Sequence, residues 1–265
     1  MNISLSYTVQ GAGPPLVLLH GLMVTGKMFE QVTEELAARY QLIIPDLRGH
    51  GKSRRLPTSV PIRTYAHDLS LLLSDLKIDQ AVILGYSHGG AIAQQFAFDH
   101  PEKCTRLILV CTWSFNMATL GERIEGYLTP ALIRVLGMKR FARLVVPRGM
   151  KTLNERQALL LYDMISDQDA EQMINGWKAA RAFDSRPYLE EIKCPTLIIA
   201  GSRDQVVPKH HISELHRSID NSDLIILNGA DHALIFTHPD EFVRQVELFL
   251  TSRFIPSAPE SKSLN

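Results

Sequence analysis

Residues 81–90 read Ala81-Val82-Ile83-Leu84-Gly85-Tyr86-Ser87-His88-Gly89-Gly90, an apolar run that passes through a turn of small residues into a helical pattern. Its centre has the form G-x-S-x-G, with Gly85 and Gly89 on either side of Ser87. The spacing has a physical reason. A turn this sharp holds the serine in a strained backbone conformation and brings the following helix close to the sheet, so side chains at 85 and 89 would collide with that approach. The serine then stands exposed at the C-terminal end of the strand, over a helix N-terminus that favours negative charge. Ser87 is therefore the candidate nucleophile.

Outward from this turn, short β-type runs alternate with helical patterns. Strands are predicted at Ser4–Val9, Leu16–His20, Gln41–Pro45, Ala81–Gly85, Arg106–Cys111, Thr196–Ala200 and Asp223–Leu227. Several (LVLLH, AVILG, LILVC, TLIIA) are apolar throughout, and a strand apolar on both faces must be covered on both faces. Helices are predicted over Lys27–Arg39, Arg63–Leu76, Gly89–His100, Lys209–Ser218 and Pro239–Ser252. The alternation predicts a doubly wound, mainly parallel α/β sheet with right-handed crossovers. One segment breaks it. From Trp113 to Arg186 there is no strand pattern, only helical stretches interrupted by Pro130, Gly137, Pro147 and Gly149, with Asn154 and Asp167 as expected helix caps. The expected organisation is a core of residues 1–112 and 187–253, a helical insertion at 113–186, and a Ser- and Pro-rich tail at 254–265 that frays.

A serine hydroxyl is a weak nucleophile and needs a base within hydrogen-bond reach. Of the 10 histidines, His232 lies in the loop after the strand ending at Leu227 and before the last helix, again at the C-terminal edge of the sheet. The carboxylate that would hold its tautomer is expected at Asp204, which follows the strand Thr196–Ala200 through Gly201-Ser202-Arg203. Asp231 is the rival, but an immediate sequence neighbour is poorly placed to reach the ring. The order Ser87…Asp204…His232 is the one this kind of sheet uses. Donors for an oxyanion are expected in the backbone N–H groups of His88 and Leu22, with Met23 a second choice.

The bulk numbers exclude several classes of function. Lys plus Arg is 28 and Asp plus Glu is 28, which leaves no basic excess for nucleic acid or an anionic membrane. Lys139, Arg140, Arg143, Arg148 and Lys151 read as a solvated face. Three scattered cysteines, Cys104, Cys111 and Cys194, give neither a disulfide framework nor metal-ligand spacing, so a cytoplasmic setting is the expectation. No secretory signal is legible at the N-terminus, and no apolar stretch is long enough to span a bilayer. Gly21–Met28 comes within one residue of a phosphate-binding loop, but methionine stands where the magnesium-binding hydroxyl would be. His210, His211 and His216 share a predicted helix with no acidic or cysteine partner spaced for closed coordination, so they read as a solvated face, and no metal or other cofactor is expected.

Taken together, LVLLHGL, PDLRGHGKS (Pro45–Ser53), GYSHGG, AGSRDQVVP (Ala200–Pro208) and GADHALIFTHPDEF (Gly229–Phe242) resemble the successive landmarks of the α/β-hydrolase superfamily. The resemblance implies a largely parallel sheet of about eight strands, a helical cap inserted after the sixth, and the roles already assigned to Ser87, Asp204, His232 and the amides of Leu22 and His88. Serine at 87 argues against the dehalogenases and epoxide hydrolases of that superfamily, whose nucleophile is aspartate. Esterases, enol-lactonases, carbon–carbon bond hydrolases and cofactor-free perhydrolases or haloperoxidases share the pattern, although the loop after His20-Gly21 lacks the Gly-Pro-Gly of many carbon–carbon hydrolases. A non-enzymatic reading, a small-molecule receptor that retains the triad, also fits. Apolar residues crowd the insertion: Met117, Leu120, Ile124, Tyr127, Leu128, Leu132, Ile133, Leu136, Leu159, Leu160, Met164, Met173 and Trp177. They favour a small, largely apolar ester or lactone, with Tyr127 and Trp177 as candidate substrate contacts. The sequence is silent on oligomeric state.

Overall fold

The structure is a computed structural model and describes residues 5–252. The strands are β1 Tyr7–Gln10, β2 Pro15–Leu19, β3 Gln41–Pro45, β4 Ala81–Tyr86, β5 Cys104–Val110, β6 Thr196–Gly201 and β7 Ser222–Leu227. The helices are α1 Glu30–Ala37, α2 Ile62–Asp75, α3 His88–Asp99, α4 Leu120–Gly149, α5 Glu155–Ser166, α6 Ala170–Ala182, α7 Lys209–Ser218, α8 Leu234–Thr237 and α9 Pro239–Thr251. The strands form one sheet in the order β1-β3-β2-β4-β5-β6-β7, parallel except for β1, which runs antiparallel along β3 at the edge. The sheet has seven strands among the described residues, not eight. Ahead of β2 those residues hold one four-residue strand and a glycine turn, with no room for a second. The helical excursion consequently leaves the sheet after the fifth strand, between β5 and β6. The expected tail at 254–265 lies outside the described residues.

Alternation along the central strands explains why both faces are covered. Leu16 and Leu18 of β2 join Val82 and Leu84 of β4 in one apolar cluster. Val17, Leu19 and Ile83 belong to the cluster on the opposite face. Each such fully buried side chain contributes about 1.5–3 kcal/mol relative to exposure. The insert adds to both layers: Ile133, Phe141, Leu161 and Met164 pack into the first cluster, and Ala179, Ala180 and Phe183 into the second. Inside the molecule Arg48 and Asp68 form a two-pronged ion pair (2.6 and 2.7 Å), and Arg48 also donates to the Pro57 carbonyl. Breaking such a buried pair by removing one partner is costly, because it strands the other charge.

Local signals place most helix ends. Asn154 caps α5 as expected, in a capping box with Gln157. The cap of α6 is Asp169 rather than Asp167, which instead closes the C-terminal end of α5. Both are aspartates two residues apart, and only Asp169 has extended backbone and an amide, Gln172 N–H, within reach. The single helix expected over Lys27–Arg39 is a 3-10 turn, Gly26–Phe29, leading into α1. Helix α4 is broken at Gly137, whose left-handed backbone (φ 68°, ψ 165°) interrupts the helical path.

Candidate active site

The β4–α3 turn puts Ser87 in a conformation that few L-residues adopt, φ 53° and ψ −114°. Its amide donates to Val110 O (2.8 Å), and its carbonyl accepts from Thr112 Oγ1 (2.7 Å), so the end of β5 holds the turn. The glycines behave as their spacing predicts. A Cβ on Gly85 would run into the Gly89 carbonyl, and one on Gly89 into the Leu19 and His20 carbonyls. Only bare backbone lets α3 seat this closely on β2 and β4.

Three residues far apart in sequence meet above this turn. His232 Nε2 lies 3.2 Å from Ser87 Oγ, and His232 Nδ1 lies 2.9 Å from Asp204 Oδ2. The other carboxylate oxygen of Asp204 accepts from the amides of Val206 (2.8 Å) and Val207 (2.9 Å). Burial alone would raise the Asp204 pKa. The His232 charge and hydrogen bond, with those two amides, outweigh it and hold the carboxyl below its ordinary value. Asp231 takes no part in this row. Its carboxylate accepts from Thr152 N (3.0 Å) and Ala233 N (2.9 Å), so it fastens backbone instead.

The loop after β2 lies against Ser87. A Cβ on Gly21 would sit 3.5 Å from that of Ser87. Among the described residues no hydrogen bond uses the Leu22 or His88 amide, whereas Met23 N–H is committed to His50 Nε2 (3.2 Å). That contact removes Met23 as an alternative donor. Two histidines unrecognised in the sequence fix this region. His20 donates from Nδ1 to Gly21 O (2.8 Å) and accepts from Leu47 N at Nε2 (2.9 Å), and His50 donates from Nδ1 to Arg48 O (2.9 Å). Burial lowers the pKa of each to about 3. Both are neutral at pH 7, each with one nitrogen donating and the other accepting. They lock the loop 46–53 to the loop at 20–23, and the only sequence signal for them is a histidine beside glycine in LLHGL and LRGHG.

The sequence profile of the alpha/beta hydrolase fold family matches residues 14–239. The chain belongs to that family. The pimeloyl-(acyl-carrier protein) methyl ester esterase of Chromobacterium violaceum is 29% identical over 248 residues, covering 88% of this chain and 93% of that protein. The solved enol-lactonase of Burkholderia xenovorans LB400 is 26% identical, with a TM-score of 0.87, covering 94% of this chain and 96% of that one. A bromoperoxidase from Bacillus anthracis, 24% identical with TM-score 0.87 over 93% of this chain and 95% of that one, shares the fold. Like the family, this alpha/beta hydrolase is an enzyme of the hydrolase class.

In this alpha/beta hydrolase Ser87 and His232 open on a cavity of about 700 Å³. Its walls are mostly apolar and include Leu22 and Phe236 of the core with Phe141, Val145, Leu161 and Trp177 of the insert. Of the two candidate substrate contacts Trp177 lines this cavity, its indole N–H donating to Gly126 O (3.1 Å). Tyr127 does not. It is 66% exposed, with the Arg181 guanidinium 4.2 Å over its ring. Leu120, Ile124, Leu128 and Leu159 also face outward, because helical spacing marks a stripe without saying which way it turns. Among the described residues no helix is long and apolar enough to cross a membrane. Cys111 comes against Asp204, and burial and that carboxylate push its thiol well above the ordinary range. It stays protonated.

Proposed function

We propose that this hydrolase cleaves a small, largely apolar carboxylic ester or lactone through an acyl-enzyme on Ser87. The observation that carries the reading is the unbroken row Asp204–His232–Ser87 opening on a mostly apolar cavity. Ser87 Oγ attacks the carbonyl carbon while His232 Nε2 takes the hydroxyl proton. Asp204 accepts from Nδ1–H and stabilises the imidazolium. The amides of Leu22 and His88 donate to the oxyanion, each worth about 3–4 kcal/mol where such donors have been removed. As the tetrahedral intermediate collapses, His232 protonates the departing alkoxide. It then deprotonates a water that attacks the acyl-serine, releasing the acid and returning the proton to Ser87. An ester and a lactone are cleaved by the 29%-identical esterase and the 26%-identical lactonase, as their names state, and both fit an apolar acyl pocket of this size.

Reaction with a fluorophosphonate, read as intact mass, tests the assignment. Wild type should gain one phosphonyl group per chain and Ser87→Ala none. An unlabelled, folded wild type would overturn the acyl-enzyme and favour a receptor that retains the row. The acid is tested separately. Asp204→Asn should lower kcat by about 10⁴-fold, since the amide favours the wrong histidine tautomer. Asp231→Asn should cost at least tenfold less, because its carboxylate serves backbone amides. The reverse ranking would transfer the role to Asp231.

A further inference from the structure

The helix whose histidines read as a solvated face in sequence turns two of the three inward and leaves His210 partly exposed. His211 and His216 of α7 are buried, and His216 Nδ1 lies 3.0 Å from Ser222 Oγ. His210 and His211 both turn their Nε2 atoms onto one oxygen of Glu122, in the first turn of α4, at 2.9 and 3.2 Å. Neighbours on a helix point about 100° apart, so two adjacent rings converging on one atom is a specific arrangement. Their centroids are 4.0 Å apart.

We propose that Glu122, His210 and His211 form a site for a late first-row divalent cation, zinc above all, that fastens the insert to the core at the rim of the cavity. The three ligand atoms lie within 4.8 Å of one another. Zinc with nitrogen and oxygen ligands at about 2.0–2.2 Å has tetrahedral edges of about 3.3–3.5 Å, so the 2.9 and 3.2 Å separations need only small outward shifts. The carboxylate is already oriented, because its second oxygen accepts from Thr119 N (3.0 Å) in the capping box of α4. The surroundings ask for a cation. Glu125 lines the same cavity as Glu122, and among the described residues no Lys or Arg side chain forms an ion pair with either. Two imidazoles with one carboxylate select zinc, cobalt or nickel over magnesium or calcium. The fourth position is left to water. The proposal is independent of the chemistry assigned to Ser87.

Isothermal titration of the chelator-stripped full-length protein with zinc chloride tests it. Wild type should bind one zinc ion with Kd of about 10 μM or tighter. Glu122→Gln and His210→Ala should each weaken binding at least tenfold, while His232→Ala, which disrupts the other candidate cluster of Cys111, Asp204 and His232, should leave it unchanged. His210 is 44% exposed, so its truncation spares the fold. Zinc at about ten times the wild-type Kd should raise the Tm of wild type by about 2–5 °C and that of His210→Ala by less than half as much. Absence of saturable binding below about 100 μM would overturn the proposal, since a ligand that weak contributes nothing at trace concentrations. Wild-type affinity in His210→Ala, or loss of binding in His232→Ala, would equally overturn it.

Discussion

Ser87→Ala should reduce turnover of any substrate this chain hydrolyses by about 10⁵-fold or more while leaving the thermal midpoint close to wild type. The size follows from the row acting as a unit. Without Oγ there is nothing for His232 to activate, and what survives is the donor pair and the cavity acting on water. The fold should tolerate the change because the turn is held by backbone and by Thr112 rather than by the serine hydroxyl, whose hydrogen bond among the described residues is to His232. Alanine inherits the same positive φ, so no new strain is introduced. Steady-state kinetics beside a melting curve checks both halves. Activity within tenfold of wild type would remove Ser87 from the mechanism.

Acid should unfold the protein through histidines before carboxylates are reached. His20, His50 and His88 are completely buried, and burial lowers the pKa of each to about 3 from an ordinary 6.5. Since the folded pKa values are depressed, the unfolded chain binds protons first. The stabilising effect is complete above pH 6.5 and is lost as pH falls from there toward 3. At about 1.4 kcal/mol per pH unit, each histidine costs about 2 kcal/mol by pH 5. The three together remove about 6 kcal/mol, a large part of the 5–15 kcal/mol typical of a domain. Urea unfolding should therefore show a midpoint that drops steeply between pH 6.5 and 5. His88 has no hydrogen-bond partner on either ring nitrogen, so His88→Leu should remove about a third of that slope. A midpoint unchanged down to pH 5 would mean that these rings are hydrated in the folded state.

The strands and the serine turn were legible in the sequence because their signals are local. An apolar run before G-x-S-x-G marks the strand and the turn that follows it, and β2, β4, β5 and β6 fall within two residues of expectation. Ser87, Asp204 and His232 were legible because each follows an apolar strand, and the C-terminal ends of parallel strands share one edge. What escaped reading depends on contacts made across long stretches of chain. Glu122 reaches His211 from 89 positions away, in a helix whose rotation no periodicity fixes. Tyr127 reads as a candidate substrate contact, yet α4 turns that face to solvent. The neutral roles of His20 and His50 follow from complete burial, which a loop histidine does not announce.

Thr58 of the core is hooked to Gln172 of the insert through both its amide (2.9 Å) and its hydroxyl (2.7 Å). Asp231 also spans the boundary with one carboxylate, one oxygen on Thr152 and the other on Ala233, the residue after His232. The peptide that carries His232 is thereby moored to the insert. A chimaera that exchanges residues 113–186 for the corresponding stretch of a relative would carry over a new pocket wall but forfeit this mooring unless its backbone brings a free N–H to the place of Thr152 N. Specificity in this scaffold is a cassette only when the anchor travels with it.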